Sequence, residues 1–91
     1  MKWLACYDIA DDQRRQRVVK VLLDYGERVQ ESVFWVDAEE ELVERMQDRL
    51  ALVISTEEDS FWLAPLCAAC VRKVVATGVK RVPDLPDYYV V

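Results

Sequence analysis

The chain has 91 residues, 53% of them apolar, and its 12 basic and 17 acidic residues give a net charge of −5. This length allows one small domain, and the acidic balance argues against a protein that coats nucleic acid unaided, because phosphate binding depends on lysine and arginine. No apolar run approaches the roughly 18 residues that cross a bilayer and no secretory leader precedes Trp3, so we expect a cytoplasmic protein that does not bind membranes.

The first predicted element is an apolar strand that starts near Trp3 and ends on Asp8. Side chains alternate along a strand, so Asp8 shares one face with Leu4 and Cys6, and the odd-numbered apolar residues take the other face. Both faces are apolar, and an ionised carboxylate at the end of such a strand needs a cation, a donor network or water. Two interpretations stay open: Asp8 binds a metal ion, or it caps the following turn or pairs with a nearby arginine.

A helix of three to four turns is predicted next. Asp11 and Asp12 supply its N-cap, and Gly26 is expected to end it in a left-handed conformation. Helical spacing gives it a buried stripe of Val18, Val21, Leu22 and Tyr25. Cations near a helix N-terminus oppose the helix dipole, so we expect an anionic group to compensate the early arginines, which are Arg14, Arg15 and Arg17.

Residues 27–37 are dense in β-branched and aromatic side chains and predict strand, with a bulge or break near Glu31 and Ser32. Asp37 and Glu40 resemble a capping pair that opens a second helix. The buried stripe of this helix is expected to be Leu42, Met46, Leu50 and Val53.

The remaining residues predict further strands. Residues 55–59 form a polar loop, and residues 60–66 form a strand in which Pro65 indicates an end or an edge. Val71 to Thr77 is predicted as strand or as a short helix. Its β-branched content favours strand, but Cys67, Cys70, Val71 and Val74 also fit helical spacing. Residues 83–91 are expected to form an extended C-terminal strand that pairs with another edge, in this chain or in a partner.

Three cysteines, an odd number, fit a reducing compartment. Cys67 and Cys70 form a C-x-x-C motif, but a zinc site normally needs two further ligands and the chain contains no histidine. We therefore expect these two residues to form a turn and to act as small buried packing residues.

The predicted order is strand, helix, strand region, helix and strand, which indicates an α+β domain over residues 1–91. Two helices cover only one face of such a sheet, yet the strands carry apolar residues on both faces. The second face should therefore meet another sheet, and a symmetric homodimer provides one.

The ordered set of residues between positions 7 and 36 resembles the Cas2 family of small CRISPR-associated adaptation proteins. The residues that carry the resemblance are Tyr7-Asp8-Ile9, Asp12, Arg14, Arg15, Arg17, Leu22, Tyr25-Gly26, Arg28-Val29-Gln30 and Ser32-Val33-Phe34. The PLCxxC motif of residues 65–70 and Gly78 resemble a recurring variant of its second half.

This resemblance implies a ferredoxin-like βαββαβ sandwich with an additional C-terminal strand, and a homodimer packed sheet to sheet. It also implies a metal-dependent nuclease that scaffolds the CRISPR integrase during spacer acquisition. Asp8 matches the family's catalytic and metal-binding aspartate, one from each subunit, which shares Mg²⁺, or Mn²⁺, across the dimer.

The resemblance places Arg15, Arg17, Arg28 and Phe34 at positions that the family uses near this centre or for nucleic acid. We therefore expect four arginines to bind nucleic acid and three neighbours of the centre to support it. The arginines are Arg14, Arg15, Arg17 and Arg28, and the supporting residues are Tyr7, Ser32 and Phe34. The substrate is single-stranded RNA or double-stranded DNA. Two alternatives stay open: a DNA-binding scaffold of the integrase complex that does not cut, and a toxin-like endoribonuclease of related fold.

Overall fold

The computed structural model describes residues 1–75 and residue 77. The elements are β1 (Lys2–Asp8), α1 (Asp12–Leu23), β2 (Gly26–Gln30), β3 (Val33–Asp37), α2 (Glu40–Ala51), β4 (Ser60–Leu66) and α3 (Ala68–Arg72). The four strands form one antiparallel sheet in the order β2-β3-β1-β4. The βαββαβ order and this sheet order confirm the predicted α+β, ferredoxin-like fold.

The helices α1 and α2 pack on one face of the sheet. That face contributes Ala5 and Tyr7 from the central strand β1, and Phe34 and Val36 from β3. The helical residues buried against them are Val18, Val21 and Leu22 of α1 and Val43, Met46 and Leu50 of α2. Within residues 1–75, no helix is long and apolar enough to cross a membrane.

The opposite face of the sheet is also apolar. Leu4 lies beside Trp35 of β3, and Cys6 lies between Val33 of β3 and Trp62 of β4. None of these five strand positions belongs to the cluster under the helices, because side chains alternate along each strand. Trp62 is 61% exposed. Trp35, by contrast, is buried, with 3% of its surface exposed. We call Leu4, Cys6, Val33 and Trp62 the open face.

Local signals in the first half of the chain are confirmed. Asp11 is the N-cap of α1, where its carboxylate accepts the backbone N–H of Arg14 at 2.9 Å. The predicted break falls at Glu31 and Ser32, which separate β2 from β3, and the pairing of these strands shifts register between Arg28 and Gln30. Pro65 lies in β4, which is at the edge of the sheet that the described residues form, as predicted.

The prediction that Gly26 ends α1 is wrong. The helix ends at Leu23 with Asp24 as its C-cap, and Gly26 is the first residue of β2. A Cβ atom on Gly26 would lie 2.4 Å from the backbone oxygen of Trp35. Glycine is required here because two strand backbones approach closely, not because the chain turns.

The predicted capping pair of α2 is also wrong. Asp37 is the last residue of β3, and its carboxylate pairs with Lys2 and, at 3.6 Å, with the N-terminal amine of Met1. The hydrogen bond from Lys2, and its charge, lower the pKa of Asp37. The N-cap of α2 is Glu39, whose side chain makes no capping hydrogen bond.

The buried stripe of α2 is shifted from its prediction. Met46 and Leu50 are buried as expected, but Val43 takes the place of Leu42, which is 44% exposed. Val53 follows the end of the helix and packs partly against the core.

The favoured prediction of a strand from residue 71 onward is wrong, and the alternative of a short helix is confirmed as far as Arg72. The helix α3 begins directly after Cys67 and ends at Arg72, so the C-x-x-C motif opens a helix instead of forming a separate turn. Both Cys67 and Cys70 are exposed, which also contradicts the prediction that they are buried. The predicted strand over residues 83–91, and Gly78, lie outside the described residues.

One ion pair joins the start of α1 to the loop before β4. Asp59 has a side chain with no exposed surface, and its Oδ2 accepts Nε of Arg14 at 2.9 Å. The same carboxylate accepts the backbone N–H of Ala10 and that of Ser55, each at 2.9 Å. Glu58 adds a second carboxylate, 3.0 Å from Nη2 of Arg14. These acids are the expected anionic compensation for Arg14.

This ion pair makes stability depend on pH. The hydrogen bond from Arg14, followed by those from Ala10 and Ser55, holds the pKa of Asp59 well below its usual range. In the unfolded chain the carboxyl titrates near its reference value of about 3.9. The ionised form therefore stabilises the fold above about pH 4, and this stabilisation is lost as the pH falls below that value.

We expect Asp59→Asn to lower the free energy of unfolding at pH 7 and to flatten its decline between about pH 5 and pH 2, because the variant cannot ionise. Urea unfolding followed by circular dichroism across this pH range measures the effect. Asp48→Asn, at an exposed position on α2, is the matched control and should keep the profile of the unmodified chain. An Asp59→Asn profile parallel to that of the unmodified chain would contradict the assignment.

Candidate metal and nucleic acid site

Asp8 is an exposed residue at the end of β1, where it lies opposite Ser60 of β4. It is on the same sheet face as Leu4 and Cys6, as the alternation predicts. Within the described part of the chain its carboxylate makes no ion pair and no side-chain hydrogen bond. The alternative that Asp8 caps the turn or pairs with an arginine is therefore wrong, since Asp11 is the cap and Arg14 pairs with Asp59.

A cleft of about 390 Å³ opens beside Asp8. It lies where the end of β1 meets the start of α1 and the turn between β2 and β3. Its lining residues are Tyr7, Asp8, Ile9, Arg15, Glu31 and Ser32. The fold thus brings together four of the residues that the sequence nominated, namely Asp8, Arg15, Tyr7 and Ser32.

Tyr7 ties the β2–β3 turn to the central strand. Its hydroxyl donates to the backbone oxygen of Glu31 at 2.8 Å, and its backbone N–H donates to that of Ser32 at 3.1 Å. Because neighbouring residues of a strand point to opposite faces, Tyr7 is anchored in the core while Asp8 faces outward. Tyr7 and Ser32 thus form a fixed wall of the cleft.

Arg28 and Phe34 lie behind Tyr7 on the helix side of the sheet. The guanidinium of Arg28 stands 5.5 Å from the centre of the Phe34 ring, and its Nη2 lies 3.4 Å from the Tyr7 hydroxyl. The rings of Tyr7 and Phe34 are 6.3 Å apart. The contact with the aromatic ring holds the guanidinium of Arg28 in place.

The other arginines predicted for the site differ in how far protein acceptors already bind their guanidinium groups. Arg15 donates to the backbone oxygen of Ile9 at 2.9 Å and pairs with Asp12. Arg17 is exposed on α1 and pairs with no acid among the described residues. Arg14 is bound by both Asp59 and Glu58, which raise the pKa of its guanidinium. Of the four arginines, Arg14 has the charge most fully neutralised.

The sequence did not identify Asp59 as part of the surroundings of the site. Its carboxylate holds the backbone of Ala10, two residues after Asp8, and the side chain of Arg14. The only indication of Asp59 in the sequence was indirect: the arginines near the N-terminus of α1 were expected to need an anionic partner. The partner itself is 45 residues away from Arg14, and no spacing rule reaches that far.

Asp8 is a hard oxygen donor, and an exposed carboxylate of this kind suits Mg²⁺, which keeps several waters and needs only one or two protein carboxylates. No group of three His, Cys, Asp or Glu side chains capable of holding a metal ion occurs in residues 1–75. Among the residues that line the cleft, Asp8 and Glu31 carry carboxylates, so a metal ion bound there would take at most two protein carboxylates from the described residues of one chain.

Comparison with known proteins gives the family. The family model of the CRISPR associated protein Cas2 matches residues 1–74. The chain is 37% identical to the CRISPR-associated endoribonuclease Cas2 1 of Chloroflexus aurantiacus over the whole of both chains. It is 44% identical to the CRISPR-associated endoribonuclease Cas2 4 of Rhodospirillum rubrum, across 76% of this chain and 56% of that protein.

A solved structure shows the same fold. The crystal structure of Streptococcus pyogenes Cas2 superimposes with a TM-score of 0.77 at 30% identity, covering 86% of this chain and all of that one. The family model matches residues 1–74, and this range includes every described element from β1 to α3. The chain therefore belongs to the Cas2 family of CRISPR-associated proteins.

Proposed function

We propose that this chain is a CRISPR adaptation protein that acts with the CRISPR integrase in spacer acquisition and cleaves phosphodiester bonds through a pair of Asp8 residues with Mg²⁺. The observation that carries the proposal is the position of Asp8: exposed, without a protein partner in the described residues, and on the open face. The names of the relatives from Chloroflexus aurantiacus and Rhodospirillum rubrum, both endoribonucleases, support the nuclease activity.

The open face supports a homodimer. Leu4, Cys6 and Val33 lie on it, and Trp62 leaves 61% of its surface exposed. Apolar area of this kind gains roughly 25 cal/mol for each Å² removed from water. In a two-fold dimer the same patch on both chains is self-complementary, so the two open faces would meet. Because Asp8 ends the central strand on this face, the two Asp8 carboxylates would approach each other.

The two carboxylates together fit Mg²⁺, or Mn²⁺, as hard oxygen ligands. When bound, the ion would supply an activated water and would stabilise the leaving oxygen of a phosphodiester. The residues of this chain have simpler tasks: Asp8 holds the ion, and Arg15 and Arg17 neutralise phosphate charge. Arg28, stacked on Phe34, keeps Tyr7 and the wall of the cleft in place.

A second function, a DNA-binding scaffold that does not cut, is favoured by the paucity of catalytic groups. The chain contains no histidine and carries a net charge of −5. A scaffold needs only the dimer and a phosphate-binding surface, whereas cleavage also needs Asp8. The experiment below distinguishes between single-stranded RNA and double-stranded DNA as the substrate of cleavage.

We expect Asp8→Asn to reduce Mg²⁺-dependent cleavage by at least about 100-fold, on the scale of a lost catalytic group, without unfolding the chain. Cleavage is measured on labelled single-stranded RNA and on double-stranded DNA, with Mg²⁺, with Mn²⁺ and with EDTA. Asp48→Asn, another exposed aspartate, is the control and should cut like the unmodified chain.

Two results would contradict the catalytic role. The first is cleavage by Asp8→Asn at the rate of the control, and the second is cleavage that persists in EDTA. Spacer acquisition measured in cells with the same variants separates the two functions. Loss of cleavage with normal acquisition would support the scaffold, and loss of both would support cleavage as part of acquisition.

We expect Leu4→Glu to convert a dimer into a monomer, because it places a charge at the centre of the open face, where burial costs several kcal/mol unless the charge is paired. Light scattering after size exclusion at micromolar concentration measures the mass. Leu52→Glu is the control, since Leu52 is 89% exposed at the end of α2 on the helix side. A stable monomer of the unmodified chain would contradict the dimer.

A further inference from the structure

Cys67 and Cys70 form a pair of thiols remote from Asp8 in sequence and not needed for the proposed function. Both are free and exposed. Cys67 is the N-cap of α3, with φ −71° and ψ 167°, and Cys70 is the third residue of the helix. Residues three apart on one helical turn lie on the same side, with a Cα separation inside the range that a disulfide spans. The residues between them, Ala68 and Ala69, are small.

The two thiols differ in acidity. The backbone N–H and the thiol of Cys70 lower the pKa of Cys67, while Cys67 raises the pKa of Cys70. Cys6, on the open face, has its pKa raised by burial. The thiolate is the reactive form of cysteine, so Cys67 is the nucleophile of the three.

Cys67 also lies at the edge of a cleft of about 420 Å³, which gives a small molecule access to its sulfur. The cleft runs between the N-terminus and α3. Among its lining residues are Leu66 and Val71, which are apolar, and Lys2 and Arg72, which are basic. Lys2 is already paired with Asp37, so Arg72 is the basic side chain that favours the approach of a negatively charged reagent such as oxidised glutathione.

We propose that Cys67 and Cys70 form a reversible intramolecular disulfide by exchange with a small disulfide of the glutathione class. The Cys67 thiolate attacks one sulfur of the reagent, which forms a mixed disulfide and releases one glutathione thiolate. The Cys70 thiolate then attacks Sγ of Cys67 and releases the second glutathione. One disulfide of glutathione is reduced to two thiols, the protein dithiol is oxidised, and the two cysteine protons pass to the released thiolates.

The geometry indicates a switchable bond instead of a structural one. A disulfide stabilises mainly by closing a loop in the unfolded chain, and the effect grows with loop length. The loop from Cys67 to Cys70 has only four residues, so oxidation adds little stability. A zinc site is a poor alternative, because residues 1–75 contain no third Cys, His, Asp or Glu ligand close to this pair.

The full chain, equilibrated at a series of ratios of reduced to oxidised glutathione, tests the proposal. The samples are quenched with acid, alkylated and digested, and the disulfides are located by mass spectrometry. We expect a Cys67–Cys70 bond within one chain whose fraction follows the glutathione ratio reversibly. In the reduced native protein, Cys67 should alkylate at least about tenfold faster than Cys6.

Three variants sharpen the test. Cys70→Ser should accumulate the mixed disulfide on Cys67, and Cys67→Ser should accumulate little on Cys70. Cys6→Ser is the matched control and should oxidise like the unmodified chain. The proposal is overturned by absence of the bond at every ratio, by bonds that include Cys6 or join two chains, or by preferential capture of glutathione at Cys70.

Discussion

Two helices cover one face of a four-stranded sheet, and the position of every candidate site residue follows from that constraint. β1 is central and apolar on both faces, so alternation places Tyr7 beneath the helices and its neighbour Asp8 on the open face. A shift of one residue in the register of β1 would exchange them, burying the carboxylate and exposing the phenol. The hydrophobic core therefore fixes where Asp8 lies, although Asp8 contributes nothing to it.

The backbone directly after Asp8 is held from two sides. Arg15 binds the carbonyl oxygen of Ile9, and the Asp59 carboxylate binds the N–H of Ala10. The Asp59 side chain has no exposed surface and is bound to Arg14, so these contacts connect the start of α1 with the loop before β4. On the other side of the cleft, the Tyr7 hydroxyl fixes the β2–β3 turn. Among residues 1–75, therefore, the Asp8 side chain has no hydrogen-bond or ion-pair partner while its backbone is held firmly, as a ligand or catalytic group requires.

Sequence reasoning succeeded where the deciding interaction is local. The alternation around Asp8, the cap at Asp11 and the break after Gln30 each depend on residues within a few positions. It failed where a distant residue decides: Gly26 is required by the backbone of Trp35, and Asp37 is occupied by Lys2 and Met1. The resemblance supplied most of the candidate site, but the grouping of Asp8, Arg15 and Ser32 around one cleft needed the sheet pairings.

The distribution of charge bears on how such a chain would bind nucleic acid. Affinity for nucleic acid grows with the number of phosphates that lysine and arginine side chains neutralise. Arg14 and Arg15 are already paired with acids. Of the four arginines, Arg17 and Arg28 make no ion pair within the described residues. Two unpaired arginines are few for a chain of net charge −5. A two-fold dimer would double these cations, and an integrase subunit would add its own. The acidic composition is therefore consistent with the proposed function if binding is shared among several chains, and it argues against tight binding by one chain alone.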